Sequence, residues 1–250
     1  MPERPPVSAF LAEATVSAEV AELRPDYRAM LVVAQGLTPG ASDEVSDDLL
    51  RRAEAAADAR LSATTVEEMP HVAAWRDAYR AFGAKPQRTR NSLEGLTRRA
   101  PSGLPRVNRL TDVYNAISVL HQLPIGGEDL DRYVGSPRLL RATGAEPFDT
   151  TTDGADVIDH PEPGEVVWCD DVGVTCRRWN WRQGHRTALR NDTTSAVFIL
   201  DALETMTDDA LRTAATDLTD HLRRLGPDVR VTHRLLRASA PRPTDPRELS

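Results

Sequence analysis

Helical periods fill much of residues 42–123, short strand-like runs follow from 138 to 202, and a last helical period returns at 208–225. No linker or internal repeat interrupts the chain between 10 and 238. Mixed periodicities without a boundary predict one α+β domain, a mixed sheet packed by several helices, because each amphipathic face must be buried against its neighbours. At 250 residues and 40% hydrophobic content the chain can build one sizeable core. The expected domain runs from 9 to 238, and the proline-rich, polar ends, 1–8 and 239–250, are expected to be disordered.

Val16 to Leu23 alternates loosely and Arg28 to Leu37 holds an apolar run from Met30, so two early strands are expected, joined by a turn at Arg24-Pro25-Asp26. Helices are expected from a Ser42 cap to Leu61, on to Phe82 with Val72, Trp75 and Tyr79 on one face, and from an Asn91 cap to about Arg99. Leu110 to Leu123 keeps Val113, Ile117 and Leu120 on one face and sets Asp112 and Asn115 together on another. Pro124 to Asp131 is expected to break that helix. Strands are expected at 139–142, 165–169, 173–177 and 195–200, a helix at 208–225 and a strand at 229–236.

Charge lies in blocks. Residues 71–110 carry 9 basic and 2 acidic side chains and residues 172–190 carry 5 arginines and no carboxylate, against acidic blocks at 1–70 and 111–171. The net charge of -7 excludes a uniformly basic nucleic-acid coat. Two arrangements remain open: the basic blocks join into a phosphate-attracting face, or they pair with the acidic blocks. No apolar run is long enough to span a membrane and no apolar signal core follows Met1, so a soluble, cytoplasmic protein is expected.

Cys169 and Cys176 are read as reduced thiols on strands. The six histidines lack metal-ligand spacing, and nucleotide-binding and serine-hydrolase signatures are absent, so no metal and no cofactor are expected.

The densest functional stretch is Cys176-Arg-Arg-Trp-Asn-Trp-Arg-Gln183. If extended, it sets Arg178, Asn180 and Arg182 on one side and Trp179 and Trp181 on the other. Tryptophans and arginines so mixed can stack on a base and grip phosphate, or they are a core pair with solvated arginines opposite. Asn180, a poor strand residue between the tryptophans, favours the first reading. Asp112-Val-Tyr-Asn115 and Gly126-Gly-Glu-Asp-Leu-Asp131 form a second candidate, since a carboxylate and a carboxamide can fix an amine or place water, and Gly126-Gly127 lets backbone approach a ligand. Thr193-Thr-Ser195 adds hydroxyls before a strand.

These three stretches, 110–115, 123–131 and 176–183, resemble stand-alone bacterial relatives of the editing, tRNA-binding domain of the phenylalanyl-tRNA synthetase beta subunit, over about 70 to 236. Asp112-Val-Tyr-Asn115 is similar to that domain's Asp-Val-Thr-Asn, with Tyr114 in place of threonine. The resemblance implies the α+β fold, a pocket beside these segments, and hydrolysis of a mischarged aminoacyl-tRNA acting in trans. No histidine stands in 124–131 and no glutamate in 181–185, where the synthetase domain has them, so its tyrosine specificity is not implied.

On this resemblance the expected catalytic residues are Asp112, Asn115, Asn180 and Thr194. Substrate would meet Tyr114, Gly126, Gly127, Glu128 and Trp181, and tRNA phosphates would meet Arg178, Arg182 and Arg186. Asp112 or Glu128 would hold the amino group. The expected partners are the 3′ end of tRNA or aminoacyl-tRNA and its amino-acid moiety, with no membrane and no DNA. The rival expectation is a non-catalytic module that binds an amino acid or a tRNA end.

Overall fold

The computed structural model describes residues 6–152 and 154–238. In chain order the elements begin α1 (Val7–Ala12), β1 (Thr15–Val16), α2 (Ala18–Leu23), β2 (Arg28–Gln35), α3 (Glu44–Leu61), α4 (Pro70–Ala81), α5 (Ser92–Arg99) and α6 (Arg109–His121). They continue β3 (Ile125–Asp129), β4 (Arg138–Arg141), β5 (Phe148–Thr152), β6 (Ala155–Asp159), β7 (Val166–Cys169), β8 (Val174–Arg177), β9 (Arg182–Gln183), β10 (Ser195–Ala202), α7 (Asp208–Arg223) and β11 (Arg230–Arg237).

A four-stranded antiparallel sheet, ordered β11-β2-β10-β3, is the central layer. Alternate residues of its inner strands serve two cores. Met30, Val32 and Ala34, with Ala196, Phe198 and Leu200, face α3, α6 and α7. Leu31 and Val33, with Val197 and Ile199, face α1, α4 and a second sheet. Both faces being covered, β2 and β10 read as almost unbroken apolar runs, as strands buried on two sides do. The second sheet is ordered β1-β4-β7-β8-β9 and is mixed, because β1 lies parallel to β4 while its other pairs are antiparallel.

The structure corrects several expectations. Val16 to Leu23 is not a strand: after Val16 the chain turns into α2, where Ala, Glu and Leu favour helix and Val20 and Ala21 are buried. Val7 and Ser8, expected to be disordered, begin α1; residues 1–5 and 239–250 lie outside the described residues. The cap of α3 is Asp43, one residue past Ser42, in a capping box with Ser46. Residues 125–129 are a strand rather than a loop, since pairing with β10 supplies what Gly126 and Gly127, lacking side chains, could not signal. Residues 148–159, rich in threonine and aspartate, carry no strand signal and yet form the β5–β6 hairpin.

The charge blocks pair. Glu94, fully buried, takes Arg76 at 2.7 Å and Arg98 at 3.0 Å; Arg106 pairs with Asp47 and Glu54; Arg177 pairs with Glu165 at 2.8 Å and with Asp159 at 2.6 Å.

Candidate functional site

The chain between β8 and β9 is a turn, not an extended segment. Arg178 and Trp179 both take left-handed backbone, with φ of 47° and 68°, a conformation uncommon for residues with a side chain. The turn is pinned by backbone bonds: Trp179 N–H donates to Val166 O at 2.7 Å, and Trp181 N–H to Arg177 O at 3.1 Å. Its Asn180 carbonyl accepts from the Ser92 N–H at 3.0 Å, which fixes α5 beside it. Trp179 is driven inward against Tyr27 and Trp75, with ring centroids 5.0 and 5.3 Å away, and Trp181 stays half-buried beneath the Arg178 guanidinium at 4.5 Å.

Between this turn, α5, α6 and the strands β3 and β10 lies a cavity of about 340 Å³. Glu128 and Gly126 reach it from β3, Tyr114 and Asn115 from α6, and Asp201 and Ile199 from β10. Ser92, Leu96 and Arg99 of α5 line another side, and Trp168, Trp179 and Trp181 supply aromatic wall.

One wall is a hydrogen-bonded chain. Asn180 Oδ1 accepts from the Tyr79 hydroxyl at 2.9 Å, and Asn180 Nδ2 donates to Asp201 Oδ2 at 3.3 Å. Asp201 Oδ1 accepts from the Tyr27 hydroxyl at 2.5 Å. Glu128 accepts from the Tyr133 hydroxyl. Both carboxylates are buried, and neither has an ion-pair partner within 4 Å among the described residues. Burial pushes the pKa of each up to about 7, against the lowering pull of the hydroxyl donors. The Cys176 thiol in the wall is held well above its ordinary range by burial, and burial pushes Cys169 up to about 12. Both are free thiols. Among the described residues no group of three or more His, Cys, Asp or Glu is arranged to hold a metal, and no helix is long and apolar enough to cross a membrane.

The cavity therefore brings together Tyr114, Asn115, Gly126, Glu128, Asn180 and Trp181. Other expected site residues lie elsewhere. Asp112 does not line the cavity: its buried carboxylate accepts from Val107 N–H at 2.8 Å and from Ser46 Oγ at 3.2 Å, joining α6 to the start of α3. Gly127 packs behind the cavity, where a Cβ would lie 2.9 Å from the Tyr114 ring. Thr194 is exposed, and its carbonyl accepts from Leu37 N–H. Arg178 pairs with Glu165, Arg186 grips Asp170 with two bonds of 2.7 Å, and only Arg182 is exposed without a carboxylate partner among the described residues.

Sequence reasoning missed Asp201, Arg99 and Trp168. Asp201 had a visible signal, a carboxylate near the end of an eight-residue strand that is otherwise apolar after Ser195. Asp112→Ala is expected to lower stability by about 1–3 kcal/mol, the cost of leaving the Val107 N–H and the buried Ser46 hydroxyl without their acceptor, while ligand binding in the cavity is unchanged. Urea unfolding and a binding isotherm on the same variant check this; lost binding with intact stability would return Asp112 to the site.

A two-faced sheet with a polar-walled cavity at its β3 edge defines an α+β pocket domain. The chain belongs to the B3/4 domain family: the model of that domain matches residues 74–224. The kinship with the phenylalanyl-tRNA synthetase beta subunit holds at the level of this family. A solved N-terminal fragment of the phenylalanyl-tRNA synthetase beta-subunit from Pyrococcus horikoshii is similar over 89% of this chain, with 13% identity and a TM-score of 0.42. This chain spans 50% of that fragment. No curated protein matches the chain.

Proposed function

We propose that the chain is an aminoacyl-tRNA hydrolase acting in trans, in translation quality control, with the aminoacyl group in the cavity and the tRNA end at its mouth. The observation that carries this reading is the cavity of about 340 Å³ in which Glu128, Asp201, Asn115 and Asn180 stand among tryptophans. An aminoacyl ester presents an ammonium group, a carbonyl and a side chain, which call for an anion, a donor and a wall of matching character. Membership of the B3/4 family supports the same substrate class.

In this reaction water adds to the ester carbonyl, the bond from carbonyl carbon to ribose oxygen breaks, and the ribose hydroxyl leaves protonated. The ester is already activated and the neighbouring ribose hydroxyl assists, so placing water and stabilising the carbonyl oxygen suffice. Glu128 or Asp201 attracts the ammonium, and the Asn115 carboxamide offers a donor to the carbonyl oxygen. With Arg178 and Arg186 engaged in ion pairs, the terminal phosphates fall to Arg99, which is exposed at the cavity and has no carboxylate partner among the described residues.

Purified protein incubated with a panel of labelled aminoacyl-tRNAs is expected to release label from at least one of them with multiple turnovers. Retention of label across the panel would overturn the hydrolase reading. A second reading, a module that binds the same group without cleaving it, is favoured by one observation: residues 124–131 hold no histidine and 181–185 no glutamate, where the similar synthetase domain has them. Stoichiometric binding without label loss would establish that reading.

A further inference from the structure

The two carboxylates of the cavity stand on one face of the central sheet. Glu128 is in register with Val197, and Asp201 lies four residues further along β10. Val197 and Ile199 belong to the core on this face, and residues two or four apart on a strand share a face. The strand rise puts Glu128 and Asp201 about 13 Å apart along the strand direction. Each is held to its own donors, Glu128 to Tyr133 and Asp201 to Tyr27 and Asn180. A single ammonium between them cannot serve both.

The sheet surface between the acids carries no charge: it is made by Gly126 and Ile199, with the Gln183 amide beside Gly126 and held to Gly127 O at 2.8 Å. Gly126 is in register with Ile199, midway between them, and its missing side chain leaves the surface open. A Cβ there would already lie 3.2 Å from Gln183 Nε2. Along one face the order is thus acid, glycine over isoleucine, acid, with tryptophan walls whose faces favour cations. Trp168 adds an indole N–H that is buried and has no acceptor among the described residues. The guanidiniums beside the cavity are committed or peripheral: Arg178, over Trp181, pairs with Glu165, Arg186 pairs with Asp170, and Arg99 is at the exposed rim.

We propose, resting on the aminoacyl reading above, that the cavity takes the aminoacyl group of a diamino acid, with one ammonium at Glu128, the other at Asp201, and the methylenes over Gly126 and Ile199. Such a ligand supplies a cation for each buried carboxylate and sets its methylenes, not a charge, against Ile199 between them.

The test is calorimetric titration of the full chain at pH 7 with L-lysinamide and L-norleucinamide, which differ only by the terminal ammonium, and with L-tyrosinamide. Lysinamide is expected to bind at least tenfold more tightly than either. Glu128→Gln and Asp201→Asn, each checked for a native circular dichroism spectrum, are expected to erase most of that preference. Should either variant fail to fold, the wild-type comparison decides alone. Norleucinamide or tyrosinamide binding as tightly as lysinamide, or no binding by lysinamide, overturns the diamino-acid assignment. The aminoacyl-tRNA panel reports separately on hydrolysis, so label release from a monoamino-acid tRNA would sink this inference and leave the hydrolase reading standing.

Discussion

Raising the pH from 5 to 8 is expected to cost the wild-type protein stability that Asp201→Asn and Glu128→Gln variants retain. In the folded protein both carboxyls hold their protons up to about 7, whereas their ordinary values are 3.8 and 4.5. Between the ordinary value and about 7 the folded state binds more protons than the unfolded chain, so stability falls as pH rises and levels off above the folded pKa. Between pH 5 and pH 8 each group contributes a loss of about 3 kcal/mol, accrued from pH 5 to its folded value near 7.

His71 works in the opposite sense. Burial lowers its pKa to about 4 from 6.5, so its share of stability is lost as pH falls and regained as pH rises through that interval. The informative quantity is therefore the difference between wild type and variant, measured by urea unfolding at both pH values. Each variant should gain about 3 kcal/mol on the wild type between pH 5 and pH 8. Parallel curves would mean that the two carboxyls ionise normally in the folded protein.

Trp179→Ala is expected to remove about 3–5 kcal/mol, the range for deleting a large buried aromatic side chain. Trp179 is fully buried and packs against Tyr27, Trp75 and Phe82, which stand just before β2, in α4 and at the C-cap of α4. Alanine would inherit the unfavourable left-handed backbone at φ 68° and none of the packing that offsets it. The same change opens the wall that holds Asn180, so ligand-induced stabilisation should vanish with the lost stability. A shift in unfolding free energy below about 1 kcal/mol, far under that range, would show that the turn does not need its tryptophan.

The parts of the fold that were legible in the sequence are those whose burial is one-sided or unambiguous. The helix Asp208–Arg223 carries Leu211, Ala215, Leu218 and Leu222 at helical spacing, and Ser195–Ala202 is apolar enough to be a strand in any context. The errors came where local sequence carries little side-chain signal. Ile125–Asp129 is a strand through its partner, Ala18–Leu23 is too short for a period, and the 148–159 hairpin is polar. The cavity was half visible. Asn180 betrayed itself as a polar residue between tryptophans, but Asp112 and Asp201 look equally odd among apolar neighbours, and only the register of β10 and the path of α6 tell a carboxylate that ties two helices together from one that walls a cavity. The left-handed pair Arg178-Trp179 was hidden altogether, since no glycine marks it.

The chain of bonds from Tyr79 through Asn180 and Asp201 to Tyr27 unites four distant stretches of sequence, and it has a bearing on how such a pocket can diverge. Changing any one of its members disturbs the seam between the central sheet, α4 and the turn that follows β8. New ligand preferences are therefore most accessible through the opposite wall, where Ser92, Gly95 and Leu96 on α5 face the same space without belonging to the seam's side-chain bonds. Drift in ligand preference is expected to run along that helix, while the bonded seam holds the sheet, α4 and the turn in place.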